Sequence, residues 1–333
     1  MTTTDPTATA PLQRRLGRSG LSVSVVGLGC NNLGRAGTAT ADLDGTRAVV
    51  HAALDAGITF FDVADVYGHE PGLSEELLGA ALEGQRDDAV VATKFGMDAR
   101  GLNGPDHGAR GSRHYLVRAV EGSLRRLRTD RIDLLQLHTP DVQTPIEETL
   151  SALDALVRDG KVRYVGHSNH AGWQIAHAEH VARALGTERF ISSQSHYNLL
   201  DRRAELEVVP AARAFGLGVL PYFPLANGLL TGKYTRDHAP ADGRLSHAKP
   251  QLLERAPWEA LEAFADLAGD LGMPPVALAF SWLAAQDVVA SVIAGATRPD
   301  QVRQNAGAVR ALDGATLARL DEIFPPAEKI ALF

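Results

Sequence analysis

The sequence is poor in whatever would tie a chain to a metal, a membrane or a disulfide framework. Its one cysteine, Cys30, excludes an intramolecular disulfide and any cysteine-built zinc or iron–sulfur centre, and points to the cytoplasm. No apolar run approaches the roughly 20 residues that span a bilayer, so no membrane partner is expected. The first residues also lack the apolar stretch of a signal peptide. Basic residues form no stripe: 33 Lys and Arg are scattered among 40 Asp and Glu, the net charge is -7, and nucleic acid is not an expected partner. Residues 1–11, rich in Thr, Ala and Pro, read as a disordered tail, with 12–333 as one domain.

What is present is a repeating pattern. Short β-branched runs at 25–29, 59–63, 89–94, 132–138, 162–167, 191–196, 218–222 and 288–293 alternate with segments of helical period. The helices are expected at 42–56, 74–82, 114–127, 145–158, 171–185, 204–215, 257–271 and 275–285. Gly57 and Gly216 sit where left-handed caps are wanted, and Ser74 precedes an acidic first turn. Eight strands with crossover helices predict a (β/α)8 TIM barrel, with a doubly wound sheet as the runner-up. Gly27-Leu28-Gly29 suggests a dinucleotide turn, but the next glycine is Gly34 and the GxGxxG spacing fails. Ahead of the first strand, Arg14 to Leu16 and Leu21 to Val23 flank a Gly-rich turn, which predicts an N-terminal β-hairpin plugging one end of the barrel. Two long irregular stretches, 96–113 and 227–256, follow the third and seventh strands and so belong on the catalytic face.

Asp62, Tyr67, Lys94 and His138 lie at or just past strand ends, so a barrel gathers them at one rim. A phenol of ordinary pKa about 10 exchanges protons poorly near neutrality unless a cation stabilises its phenolate. Lys94 can be that cation, Asp62 can hold it charged, and His138 can hydrogen-bond a substrate oxygen. Such a group would protonate a carbonyl oxygen as hydride reaches the carbon. Taken singly, each residue has a plainer role as a cap, a packing tyrosine or a solvated lysine.

The run Asp62-Val63-Ala64-Asp65-Val66-Tyr67-Gly68 resembles the D-x4-Y-G signature of the aldo-keto reductases. The segment SLRRLRTDRIDLLQLHTPD at 123–141 is similar to the family's second signature, and GKVRYVGHSN at 160–169 to its third. The stretch YFPLANGLLTGKY at 222–234 is nearest to the branch holding potassium-channel β-subunits and many bacterial reductases. The resemblance covers nearly the whole chain. It implies an NADP(H)-dependent reductase acting on a small-molecule carbonyl, with Tyr67 as acid, Lys94 and Asp62 as its activators and His138 orienting the substrate.

The resemblance also implies cofactor contacts. Ser168, Asn169 and Gln194 would bind the nicotinamide amide, and Tyr222 would stack on its ring. The turn of Phe223, Pro224, Leu225, Asn227 and Gly228, with Lys233, would meet the pyrophosphate. Gln304 and Asn305 would read adenine, while Gly295, Thr297, Gln301 and one of Arg244 or Arg298 would lie near a 2′-phosphate, where a helix entering at Pro299 offers N–H groups. Cys30 and Asn31, at the end of the first strand, are assigned to the cofactor cleft, against the plainer role of Cys30 as a small buried hydrophobe. Phe223 stands where many relatives carry Ser. Gly295 and Gln301 stand where another branch has Lys and Arg, which weakens the demand for a 2′-phosphate and admits NAD(H).

His167, His170, His177 and His180 invite a metal reading, yet no carboxylate or cysteine joins them in sequence, and a solvated helix is the expectation. No metal is expected. The alternatives to a reductase are a nicotinamide-binding regulatory subunit with slow reductase chemistry, and a barrel hydrolase or isomerase without nicotinamide. The sequence is compatible with an oligomer.

Overall fold

The computed structural model describes residues 13–240, 245–246 and 249–328, so the expected tail at 1–11 and Arg244 lie outside the described residues. Strands β1 (Gln13–Arg15) and β2 (Ser22–Ser24) pair antiparallel as a hairpin. The eight that follow are β3 (Val26–Gly29), β4 (Phe60–Asp62), β5 (Val90–Phe95), β6 (Ile132–Leu137), β7 (Val162–Ser168), β8 (Ser192–His196), β9 (Gly218–Tyr222) and β10 (Val292–Gly295). They hydrogen-bond in the order β10-β3-β4-β5-β6-β7-β8-β9, all parallel. The ring closes where Val219 N–H donates to Val288 O at 2.7 Å and Ala290 N–H to Val219 O at 3.0 Å. The fold is a (β/α)8 barrel.

Helices α1 (Leu43–Asp55), α2 (Leu73–Ala81), α3 (Arg113–Arg126), α4 (Ile146–Arg158), α5 (Gly172–Leu185) and α6 (Val208–Phe215) cover the outside of the barrel. Beyond β9 come α7 (Pro250–Glu254), α8 (Trp258–Asp270), α9 (Pro275–Ala285), α10 (Pro299–Ala306) and α11 (Gly314–Ile323). Caps stand where short polar residues precede the apolar period: Asp42 accepts from Gly45 N–H at 2.9 Å and Ser112 from Tyr115 N–H at 3.3 Å. Gly57 and Gly216 do adopt left-handed φ of 78° and 77°.

Three local expectations are corrected. Ser74 is not the cap of α2; Gly72 takes that place, and the Ser74 hydroxyl instead donates to Cys30 O at 2.7 Å. The expected helix at 204–215 splits into a 3-10 turn, Arg203–Glu205, and α6. Pro210 has no N–H and is accommodated only in a first turn, which fixes the start of α6 just upstream. The last strand lies at Val292–Gly295 rather than 288–293, because the first valines of that run serve in ring closure. Helices α7 and α11 were not expected, whereas α10 begins at Pro299, where a helix was expected.

Strand period places alternate residues on one face. Phe60, Ala92, Leu134, Leu220, Ala290 and Ile293 form a buried cluster with Leu16 and Val23 of the hairpin segment. The neighbours Phe61, Val91, Leu135, Val165 and Val219 belong to the larger core. Stepping up by two from the inner residues gives Asp62, Lys94 and Gln136. An apolar floor therefore supports a polar upper layer. No single helix among the described residues is long and apolar enough to cross a membrane.

The hairpin plug buries the side chains of Leu16 and Val23 completely. Leu16→Ala is expected to cost about 2–5 kcal/mol of stability, because neighbouring barrel walls cannot collapse into the space it leaves. Urea denaturation would measure this. A loss below about 1 kcal/mol would mean that the hairpin contributes little to the barrel floor.

Candidate active site

Lys94 is the penultimate residue of β5, on the inner face, and is fully buried. Its Nζ donates to Asp62 Oδ2 at 2.7 Å, to Val63 O at 3.0 Å and to Tyr67 Oη at 3.3 Å, which uses all three ammonium protons. His138, just past β6, lies edge-on to Tyr67 with ring centroids 5.8 Å apart. The four residues expected at one rim are thus brought together.

Burial acts to lower the Lys94 pKa, but Asp62 and Tyr67 outweigh it and hold the ammonium above its usual range. For Tyr67, burial is the largest influence and pushes the phenol up; Lys94 offsets part of this and Asp62 adds to the rise. The lysine therefore limits the rise without reversing it. His138 is driven well below its usual value, by burial first and then by Lys94, so the ring is neutral near pH 7. Its Nδ1 is buried without a hydrogen-bond partner.

Asp62 is held on its other side as well. Its Oδ1 accepts from Gln194 Nε2 at 2.8 Å and from Gln136 Nε2 at 3.2 Å. Gln136 was absent from the expected site. The signal that would have found it is its place two residues before His138 on a strand whose inner face is otherwise apolar. Gly166 makes room for this layer, since a Cβ there would lie 2.1 Å from Ser192 Oγ and 3.4 Å from Gln136 Cγ.

Around the rim, Ser168 Oγ donates to Gln194 O at 2.9 Å, and Asn169 Nδ2 donates to His138 O at 3.0 Å and to Ser168 Oγ at 3.1 Å. Tyr222 Oη donates to Asn169 Oδ1 at 2.9 Å. These four expected residues therefore surround one place beside Tyr67. One face of Tyr222 is covered by His196, parallel within 6° at 5.4 Å, a partner that the sequence did not suggest. Asp201 orients that imidazole through a 3.1 Å contact to Nδ1.

The turn after β9 is strained: Phe223, Ala226 and Asn227 adopt φ of 54°, 48° and 60°, which non-glycine residues rarely do. Asn198 Nδ2 donates to Phe223 O at 2.9 Å, and Lys249 reaches Asn227 Oδ1 at 3.1 Å. Lys249 also lies over the Phe223 ring and joins Lys233 as a second cation near this turn. At the far end, Gly295 and Gln304 are exposed and Asn305 is buried. Thr297 N–H donates to Gln301 Oε1 at 2.9 Å, and Arg298 is forked onto Asp300. Cys30 is a fully buried core residue whose thiol is pushed far up by burial, while Asn31 is exposed and accepts from Arg35 at 2.8 Å.

His177 and His180 are exposed on α5, as expected. His167 and His170 are not: both are buried, with rings 4.3 Å apart against Phe190. No group of three metal-binding side chains occurs among the described residues.

Buried polar groups converging on the open end of a parallel barrel define an enzyme-type site. The chain matches the aldo/keto reductase family over residues 25–324 and belongs to that family. It is 40% identical to the uncharacterized oxidoreductase YrpG of Bacillus subtilis, over 93% of this chain and 95% of that protein. Identity is 35% to a probable voltage-gated potassium channel subunit beta of Oryza sativa subsp. japonica, covering 93% and 94%. It is 34% to L-glyceraldehyde 3-phosphate reductase of Escherichia coli (strain K12), covering 93% and 91%. The protein is an oxidoreductase of the aldo/keto reductase family.

Behind Lys94, Asp65 is buried and accepts from Asn103 Nδ2 at 2.8 Å, which ties the 96–112 stretch to the β4 end. Burial, then the nearby Glu75, pushes its carboxyl up to about 7. An unfolded Asp titrates near 4, so between about pH 4 and 7 the folded state holds the extra proton and stability falls as pH rises. Asp65→Asn, which cannot ionise, is expected to raise the Tm at pH 8 relative to wild type and to bring the two closer at pH 5. An equal Tm difference at both pH values would show that Asp65 does not titrate in this range.

Proposed function

We propose that the protein is an NADP(H)-dependent carbonyl reductase that turns an aldehyde or ketone into an alcohol, with NAD(H) as a second cofactor. The observation that carries this reading is the buried chain Asp62–Lys94–Tyr67, in which the phenol oxygen lies 3.3 Å from an ammonium held above its usual pKa. The nicotinamide fits what stands at the rim: a partly exposed aromatic ring, an amide cluster, a strained backbone turn and two lysines. When bound, the reduced ring would supply hydride to the carbonyl carbon.

The remaining work falls to this chain's own residues. Tyr67 Oη gives its proton to the carbonyl oxygen, and Lys94 stabilises the phenolate left behind, which is regenerated by a proton from water. Asp62 keeps Lys94 charged and directs it at Tyr67. His138, neutral and with nothing to donate to at Nδ1, carries its proton on Nε2 and donates it to the same carbonyl oxygen. Ser168, Asn169 and Gln194 hold the ring amide, and Tyr222, backed by His196, supports the ring face. Phe223, Pro224, Leu225, Asn227, Gly228, Lys233 and Lys249 would line the pyrophosphate path. Among the described residues assigned to the 2′-position, Gly295, Thr297 and Gln301 are neutral and Arg298 is paired with Asp300, which supports the place given to NAD(H).

The channel-subunit relatives support a second reading, a nicotinamide-binding regulatory subunit with slow chemistry. Multiple-turnover kinetics separates the two. NADPH absorbance followed across a carbonyl panel should show steady turnover, and Tyr67→Phe should lower kcat by about 100-fold or more while leaving the NADPH Kd nearly unchanged. Wild-type turnover in Tyr67→Phe would remove it as the acid.

A further inference from the structure

Asp62, Gln136 and Gln194 form a closed ring of buried polar groups that the proposed proton transfer does not use directly. Gln194 Nε2 lies 2.8 Å from Asp62 Oδ1 and 3.4 Å from Gln136 Oε1, so both of its N–H groups are committed inward. Gln136 Nε2 lies 3.2 Å from the same Asp62 oxygen. Gln136 and Gln194 are both buried. Turning the Gln136 amide over would set its oxygen against the Asp62 oxygen and its amino group against that of Gln194. Both contacts are repulsive, so one orientation of Gln136 is selected.

Gln194 then has a single polar atom left. Its Oε1 makes no hydrogen bond to any described residue and is not among the buried unpartnered atoms. It is an acceptor, carried by the residue whose backbone oxygen also accepts from Ser168 Oγ and Asn169 N–H.

We infer that Gln136 is a positioning residue that fixes which way the Gln194 amide faces, and through it makes the site select a ring substituent that donates, a primary amide, over one that cannot. The inference rests on the proposed nicotinamide site. Gln136 never touches the cofactor; it acts through Gln194 and Asp62. Gly166 borders the same layer: an added Cβ would collide with Ser192 Oγ at 2.1 Å, while the Gln136 stem, at 3.4 Å, would be in ordinary contact.

The test is a binding measurement rather than turnover. Isothermal titration of the whole protein with NADP+ and with its 3-acetylpyridine analogue, in which a methyl group replaces the amide NH2, gives a ratio of two Kd values. Wild type should bind NADP+ about tenfold more tightly, the effect of one hydrogen bond lost at a desolvated acceptor. In Gln136→Met, of similar length but without polar atoms, the ratio should fall to within about threefold of unity. Gln136→Glu keeps the shape, and burial beside Asp62 should keep it protonated at pH 6, so that it donates to Asp62 and accepts from Gln194. Its ratio should match wild type at pH 6 and fall as the pH is raised.

A folded Gln136→Met that keeps the full ratio overturns the inference. Should that variant not fold, a Gln136→Glu ratio that stays constant with pH overturns it equally. Binding of both cofactors with an unchanged ratio removes the role of Gln136 alone. Absence of saturable NADP+ binding to wild type removes the nicotinamide site and this inference with it.

Discussion

The Lys94–Asp62 ion pair is the constraint around which the upper barrel is organised. Two opposite charges with almost no solvent access are stable only when their remaining hydrogen-bonding capacity is filled, because desolvation costs several kcal/mol per ion. Here the ammonium has three acceptors and the carboxylate three donors. Those requirements reach four strands, β4, β5, β6 and β8, and in β4, β5 and β6 they set a polar residue one step above an apolar floor. Removing either charge would leave the other buried without its partner, so the arrangement is poorly tolerant of half-measures.

From this pair the functional geometry extends outward by contact. Lys94 aims at Tyr67, and its charge helps keep His138 neutral, so one cation prepares both groups that would meet a carbonyl oxygen. Asp62 anchors Gln194, whose backbone oxygen accepts from Ser168 and Asn169; Asn169 in turn accepts from Tyr222. The rim is thus one hydrogen-bonded assembly, from the proposed acid to the proposed ring platform. Its outer edge is different in kind: the turn after β9 stores backbone strain and is stabilised by Asn198 and Lys249 from separate parts of the chain.

The barrel was legible in the sequence because buried parallel strands require β-branched runs, and the joints between them require Gly, Asp and Pro. Asp62, Tyr67, Lys94 and His138 were legible because strand ends on one rim need no knowledge of packing. Gln136 and His196 were harder, since each acts through a neighbour that only the folded ring supplies. The shift of β10 has the same origin: the stretch from Val288 to Ile293 is equally suited to two pairings, and ring closure decides between them. The four histidines divided for a comparable reason, two lying on an exposed helix face and two between sheet and helix, a distinction invisible without the layers.

The central claim is that Lys94 holds down the proton affinity of a buried phenol. Tyrosine labelled with carbon-13 at Cζ, with the Tyr67 resonance assigned by its loss in Tyr67→Phe, would report that affinity directly by NMR titration. The account predicts a wild-type midpoint above the ordinary value of about 10, and a further rise in Lys94→Met. A midpoint that stays in place or falls when Lys94 is removed would contradict it.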